Sequence, residues 1–308
     1  MSVHVRRARS DGPTVFVAAA IHGDELNGIE IVRRLINSKR FRLTAGTVIL
    51  VPMVNIYGVV HKSRYMPDRR DLNRSFPGSE TGSLASSVAH RFMQDIVSQC
   101  DYGIDLHTGA VHRSNLPQIR ADLSDATTRR LAEAFGVSVL LNSNLRDGSL
   151  RQAGHETDTR ILLFEGGEAL RFDEFSIRAG VRGIINVLSE LKMASTPVRK
   201  RVSVPYVANT SAWIRANHSG FVKNRCRLGD HVLKGDVLAE IGDPLGATLG
   251  IVQAKQDGIV IGRQNIPLVQ TGDAMFHIAY FSEQEEEIAS NIQAMHEFLL
   301  PSESNEPT

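Results

Sequence analysis

The residues of this chain best suited to chemistry begin at His22-Gly23-Asp24-Glu25. Imidazole nitrogen and carboxylate oxygen are ordinary Zn2+ ligands at roughly 2.0–2.2 Å, and a hydrolytic zinc takes three protein ligands and keeps one position open for water. Two residues separate His22 from Glu25, so a turned loop brings both side chains to one ion, with Gly23 and Gly28 supplying turning freedom. The rival reading is an exposed histidine beside a solvated carboxylate, and the pair alone does not exclude it. A third ligand is needed. His107 is the best placed, because it follows the short strand-like run Tyr102 to Leu106. His61, His90, His112 and His155 are rivals, but none ends so clean a strand. Alternation along a strand puts Asp105 on the face of His107, where it could orient a metal-bound imidazole or serve only as a buried structural carboxylate.

These side chains must be positioned by regular elements. Thr14 to Ala20 is wholly apolar and reads as a buried strand, while Ile29, Ile31, Val32, Leu35 and Ile36 follow at helical spacing. His22 and Glu25 therefore sit in a strand-to-helix loop, at the strand end where open α/β sheets bind ligands. Further strands are expected at Thr47 to Val51, Tyr102 to Leu106, Pro117 to Ala121, Val137 to Leu141 and Ile161 to Phe164. Helices are expected at Leu84 to Ser98 with Ser83 as N-cap, Asp125 to Phe135 with Gly136 as its stop, and Asp173 to Lys192. The polar stretch from His61 to Gly78, rich in arginine, reads as a functional loop. Alternating strands and helices predict an α/β fold: a mostly parallel or mixed sheet with helices on both faces. Composition changes near Ala194 to Pro197, and short strands with Gly-Asp turns then run to about Tyr280, predicting a small all-β C-terminal domain. The chain is thus divided into a first domain over 1–195, a β domain over 196–282, and a C-terminal helix and tail over 283–308, whose last residues should fray.

Composition narrows the partners. A net charge of +1 gives no bulk attraction for nucleic acid or an anionic membrane. No apolar run reaches the ~18 residues of a membrane span. A signal-peptide reading of the N-terminus would place cleavage beside His22 and Glu25 and destroy the best site in the chain. Cys100 and Cys226, the two cysteines, form no paired motif, which fits a reducing compartment and a cytoplasmic location.

Four motifs, taken together, resemble the succinylglutamate desuccinylase/aspartoacylase family, relatives of the zinc carboxypeptidases. They are His22-Gly23-Asp24-Glu25, Asp71-Leu72-Asn73-Arg74-Ser75-Phe76-Pro77-Gly78, Asp105-Leu106-His107 and Phe164-Glu165-Gly166-Gly167, and they span roughly residues 14 to 192. The resemblance implies one zinc per chain held by His22, Glu25 and His107. It implies that Glu165 activates water and then protonates the leaving nitrogen, as general acid–base chemistry beside zinc demands. It implies that Asn73 and Arg74 bind a substrate carboxylate, a task suited to a guanidinium fork, and that Arg64 stabilises the oxyanion. Arg69 and Arg70 read as solvated charges, and Asp71 as a structural partner for a nearby arginine. Residues Leu228 to Ala239 and Ala254 to Val260 resemble the biotinyl/lipoyl carrier fold. The hairpin between them, Ile241 to Thr248, lacks a modifiable lysine, and Lys234 and Lys255 only flank it, so an unmodified domain that shapes or lids the site is expected.

The implied activity is zinc-dependent cleavage of the amide bond of an N-acyl amino acid, acetyl or succinyl, or of a related amine. The implied substrate is a small carboxylated molecule, with no nucleic-acid or membrane partner and with homo-oligomer formation left open. The alternatives are a carboxypeptidase-type metallopeptidase and a non-catalytic binding protein on the same fold.

Overall fold

The structure, a computed structural model, describes residues 1–38, 42–195, 205–282 and 285–300. The expected linker after residue 195, the start of the last helix at 283 and the frayed tail over 301–308 lie outside the described residues. The first half alternates strand and helix. In order these are β1 (His4–Arg7), β2 (Ser10–Ala19), α1 (Asn27–Asn37), β3 (Ala45–Val51), α2 (Ile56–His61) and α3 (Leu84–Asp95). There follow β4 (Tyr102–Gly109), β5 (Arg113–Ala121), α4 (Ala126–Phe135), β6 (Val139–Asn142), α5 (Leu150–Glu156), β7 (Arg160–Glu168) and α6 (Glu174–Glu190). The second half is β8 (Tyr206–Ala208), β9 (Thr210–Arg215), β10 (Gly220–Asn224), β11 (His231–Val232), β12 (Val237–Gly242), β13 (Thr248–Gln253), β14 (Gly258–Gln264), β15 (Leu268–Val269), β16 (Ala274–Tyr280) and α7 (Glu285–Leu299).

Period-two alternation in β2 explains the layers. Val15, Val17 and Ala19 pack with apolar residues of α1, α4 and α6, whereas Phe16 and Ala18 pack on the other face with α3 and α5. Each such side chain is fully buried, which stabilises by roughly 1.5–3 kcal/mol for the larger ones. Helix ends follow their caps. Ser83, Asp125 and Asp173 accept from the backbone N–H of Ser86, Thr128 and Ser176 at 3.2, 2.8 and 2.6 Å. Gly136 ends α4 at φ +88°, a left-handed position that suits glycine.

Strands β3, β2, β4 and β7 run parallel, and β5 turns antiparallel to β7, so the sheet is mixed and covered by helices on both faces. β14 pairs antiparallel with β5, then β16 with β14 and β9 with β16, carrying one 12-stranded sheet into the C-terminal half. Among the described residues, only β13, β12, β10 and β15 form a separate antiparallel sheet of four strands. Its β12–β13 hairpin closes at Gly242 opposite Thr248, and Leu245 at the tip is exposed. α7 lays Ile288, Ile292, Met295 and Leu299 on the main core, the four residues whose spacing marks its apolar face.

Candidate metal centre and substrate pocket

The first loop is aimed by backbone pairing. β2 ends at Ala19, and Ala20 takes φ +54°, a strained position for a residue with a Cβ. The turn is pinned by the backbone N–H groups of Val54 and Asn55, which donate to the carbonyls of Ala19 and Ala20 at 3.0 and 2.9 Å. The expected turning role of Gly23 and Gly28 is replaced by close approach. A Cβ at Gly23 would stand 2.0 Å from the Gly58 carbonyl carbon. One at Gly28 would stand 2.8 and 2.9 Å from the Cβ atoms of Ala19 and Leu106, where α1 lies on the sheet. β4 runs beside β2 with Ala19 opposite Leu106, so His107 emerges next to the loop carrying His22 and Glu25. His107 lies within β4 rather than after it.

His22, Glu25 and His107 are buried, and one ligand atom from each lies within 4.8 Å of the others. Nδ1 of His22 is 2.8 Å from Glu25 Oε1, Nδ1 of His107 is 2.8 Å from Glu25 Oε2, and the two Nδ1 atoms are 3.2 Å apart. The outer nitrogens are committed to carboxylates. His107 Nε2 donates to Asp105 Oδ2 at 2.7 Å, and His22 Nε2 donates to Asp71 Oδ1 at 3.1 Å. That commitment turns both Nδ1 lone pairs toward Glu25, so three acceptors converge with no donor among them. Such a set calls for a cation, and its two imidazoles and one carboxylate suit a divalent ion of zinc type. The surrounding carboxylates give the site a pull on positive charge that a metal ion satisfies when bound and protons on the two imidazoles satisfy without one. Burial works against charge on His107, yet Asp105 and Glu25 outweigh it and hold its pKa well above the usual value. Burial likewise opposes ionisation of Glu25, but His22 and His107 keep its carboxyl far below the ordinary range. His61, His112 and His155 are exposed and His90 is half-buried on α3; none joins the cluster among the described residues.

The three side chains share a pocket of about 350 Å³ with Arg64, Asn73, Arg74 and Glu165. Glu165 lies inside β7, opposite His107 of β4 on one side and Gln118 of β5 on the other. Its Oε2 accepts from Asn115 Nδ2, and its Oε1 is 3.2 Å from Arg120 Nε in an ion pair without hydrogen-bond alignment. Arg64 reaches Glu25 Oε1 at 3.3 Å and Asp71 Oδ2 at 3.1 Å. Asp71 is thus the arginine partner expected of it, and it also orients His22 and accepts from the Asn73 N–H at 2.8 Å. Asn73 and Arg74 sit on a short 3-10 turn. Asn73 Oδ1 accepts from Leu150 N–H at 2.9 Å, which leaves Nδ2 as the donor available to a ligand. Arg74 donates to the Asn73 carbonyl, and burial, then Arg146, push its pKa down. Among the described residues lining the pocket, six arginines face two carboxylates, Glu25 and Glu165. A larger groove of about 1360 Å³ runs between β5 and α7 but holds none of the converging ligands.

Contributors that escaped the sequence reading include Asn115 and Arg120 beside Glu165, the pocket arginines Arg113, Arg146 and Arg151, and Trp213 of β9, which lines the pocket. Alternation could place Arg120 and Gln118 on one face of a strand, but not say which face the site occupies. Trp213 stacks on His277 of β16 with ring centroids 4.7 Å apart, and the Arg113 guanidinium lies 5.3 Å from its ring.

The model of the succinylglutamate desuccinylase/aspartoacylase catalytic domain matches residues 11–191. An N-alpha-acetyl-L-2,4-diaminobutyric acid deacetylase of Halomonas elongata is 30% identical over 289 residues, covering 88% of this chain and 83% of the relative. Among solved structures, the product-bound ectoine utilization protein EutE (DoeB) from Ruegeria pomeroyi superposes with a TM-score of 0.80 at 24% identity, over 91% of this chain and 88% of that one. A succinylglutamate desuccinylase/aspartoacylase from Rhodobacter sphaeroides gives 0.77 at 26% identity, over 90% and 89%. More than half of the chain is matched by one catalytic-domain model, and the chain belongs to the succinylglutamate desuccinylase/aspartoacylase family.

Proposed function

We propose that this protein is a zinc-dependent hydrolase that cleaves the amide bond of an N-acyl amino acid or related amine, releasing a small acyl group such as acetyl or succinyl. The observation that carries the reading is the meeting of His22, Glu25 and His107 in one pocket with Glu165. His22, Glu25 and His107 would hold a divalent ion, which would supply acidification of a water toward a pKa of ~7 and polarisation of the acyl carbonyl. Glu165 takes a proton from the attacking water and returns it to the leaving nitrogen. Arg64, anchored beside Glu25, stabilises negative charge developing on the carbonyl oxygen. Arg74 and the free Nδ2 of Asn73 hold the substrate carboxylate, the task for which a guanidinium fork and an amide donor are suited.

The relatives bear on substrate class. One is named a deacetylase of a diaminobutyric acid derivative and another a desuccinylase/aspartoacylase. Six pocket arginines against two carboxylates disfavour the free ammonium of a diaminobutyrate side chain and favour amines with a second carboxylate. The two cysteines are free and buried, as suits the cytoplasmic setting that goes with this reading, and no described helix is long and apolar enough to cross a membrane. The test is a panel of N-acetyl and N-succinyl derivatives of aspartate, glutamate and diaminobutyrate, with short peptides, against zinc-loaded protein. Turnover of peptides alone would transfer the assignment to a carboxypeptidase-type enzyme. Glu165→Ala is expected to cost at least ~10²-fold in kcat; absence of turnover and of bound zinc would leave only a binding protein.

A further inference from the structure

We infer that Asn115 and Arg120 of β5 are positioning residues that hold the Glu165 carboxylate at both oxygens, with Gly262 of β14 as their backstop. The inference rests on Glu165 being the working carboxylate of the reading above. A glutamate side chain rotates about three bonds, and catalysis needs it held within a fraction of an ångström. Packing alone does not do this here, because Glu165 keeps a partly solvated side chain, 17% exposed. The restraint comes from the neighbouring strand. Asn115, buried, donates from Nδ2 to Oε2, and the Arg120 guanidinium stands against Oε1.

The backbone is shaped for this. Gln118 lies opposite Glu165 and Asn115 lies opposite Gly167, so three steps on β5 match two on β7. One extra residue is inserted between them. In a regular strand Asn115 and Gln118 would face opposite sides of the sheet; the inserted residue returns Asn115 to the side of Glu165. Leu116 faces the other way, into the main core. Asn115 is then confined from behind. Gly262 pairs with it across β5–β14, and a Cβ at that glycine would stand 3.0 Å from Asn115 Oδ1 and 3.0 Å from His277 Cβ. His277 itself stays neutral: burial, and then the Arg120 charge, push its pKa down to about 3. A strand from the C-terminal half therefore takes part in aiming Glu165.

The experiment is a double-mutant cycle in the zinc-loaded full chain, using whichever N-acyl amino acid of the panel above the wild type turns over fastest. Asn115→Ala and Arg120→Gln should each lower kcat about tenfold or more, with zinc content unchanged and KM within about twofold. In a Glu165→Ala background each should cost less than about twofold further, since a positioning residue has nothing left to position. Gly262→Ala, which touches no substrate, should lower kcat in the same manner, and Arg120→Lys should recover part of the Arg120→Gln loss. If Asn115→Ala fails to fold, Asn115→Ser makes the same cut with less disturbance. Equal losses with and without Glu165, or no loss when either change is made in the wild-type chain, overturn the inference while leaving the hydrolase reading standing. A Glu165→Ala variant as active as wild type overturns the hydrolase mechanism instead. A crystal structure of the Asn115→Ala, Arg120→Gln protein gives a readout free of turnover: several Glu165 rotamers are expected, and one unmoved rotamer overturns the inference.

Discussion

Removing the carboxylate behind His107 should cost metal affinity without touching a ligand. Asp105 is fully buried, and its Oδ2 accepts from His107 Nε2 at 2.7 Å. The contact fixes which ring nitrogen carries the proton and keeps the Nδ1 lone pair facing Glu25. Hydrogen bonds to charged groups contribute about 1.5–3 kcal/mol. Loss of such an orienting partner lowers metal affinity about 10–100-fold, or about 1.4–2.7 kcal/mol, so the two scales agree. Asp105→Ala is expected to fall in that range, and Asp105→Asn lower in it, since the amide oxygen still accepts while the charge is gone. Asp71→Ala should cost less, because its contact with His22 is longer at 3.1 Å and Asp71 already serves Arg64 and the Asn73 N–H. Zinc affinity is measured by competition with a chromophoric chelator near neutral pH, beside thermal melts of each variant. Zinc binding by folded Asp105→Ala within about twofold of wild type would refute the argument that the Nδ1 atoms are aimed by their outer carboxylates.

The ion-pair network joining α1 to α6 predicts a pH effect. Arg34 grips Glu174 through both oxygens at 2.8 and 2.7 Å, and these bonds, ahead of the opposing effect of burial, bring the Glu174 pKa down to about 2. A depressed carboxylate stabilises the fold above its unfolded pKa near 4.5 and loses that contribution as pH falls toward 2. Because the side chain is 40% exposed, Glu174→Gln should cost only about 0.3–1 kcal/mol at pH 7, with the difference shrinking below about pH 4.5 in urea melts. Gly23→Ala should destabilise by about 1–3 kcal/mol in the same assay and weaken zinc binding, since its methyl would overlap the Gly58 backbone beneath His22.

What could be read from the residues alone was whatever rests on local order. Apolar runs and caps located β2, α3, α4 and α6, because periodicity and a capping oxygen act within a few residues of their own chain. Period-two alternation paired Asp105 with His107 correctly for the same reason. The short α2 and α5 were missed; they carry little periodicity and depend on neighbours for stability. Long-range pairing decided the rest. Gly23 and Gly28 serve close packing against segments far along the chain, which no spacing announces. Asp71 meets His22, and Asn115 meets Glu165, across 49 and 50 residues. That β14, β16 and β9 continue the sheet carrying the ligands, with Trp213 brought to the pocket wall, is a matter of strand order. A sequence specifies which face of a strand is apolar, but which strand lies beside it is settled only when edges find partners in three dimensions.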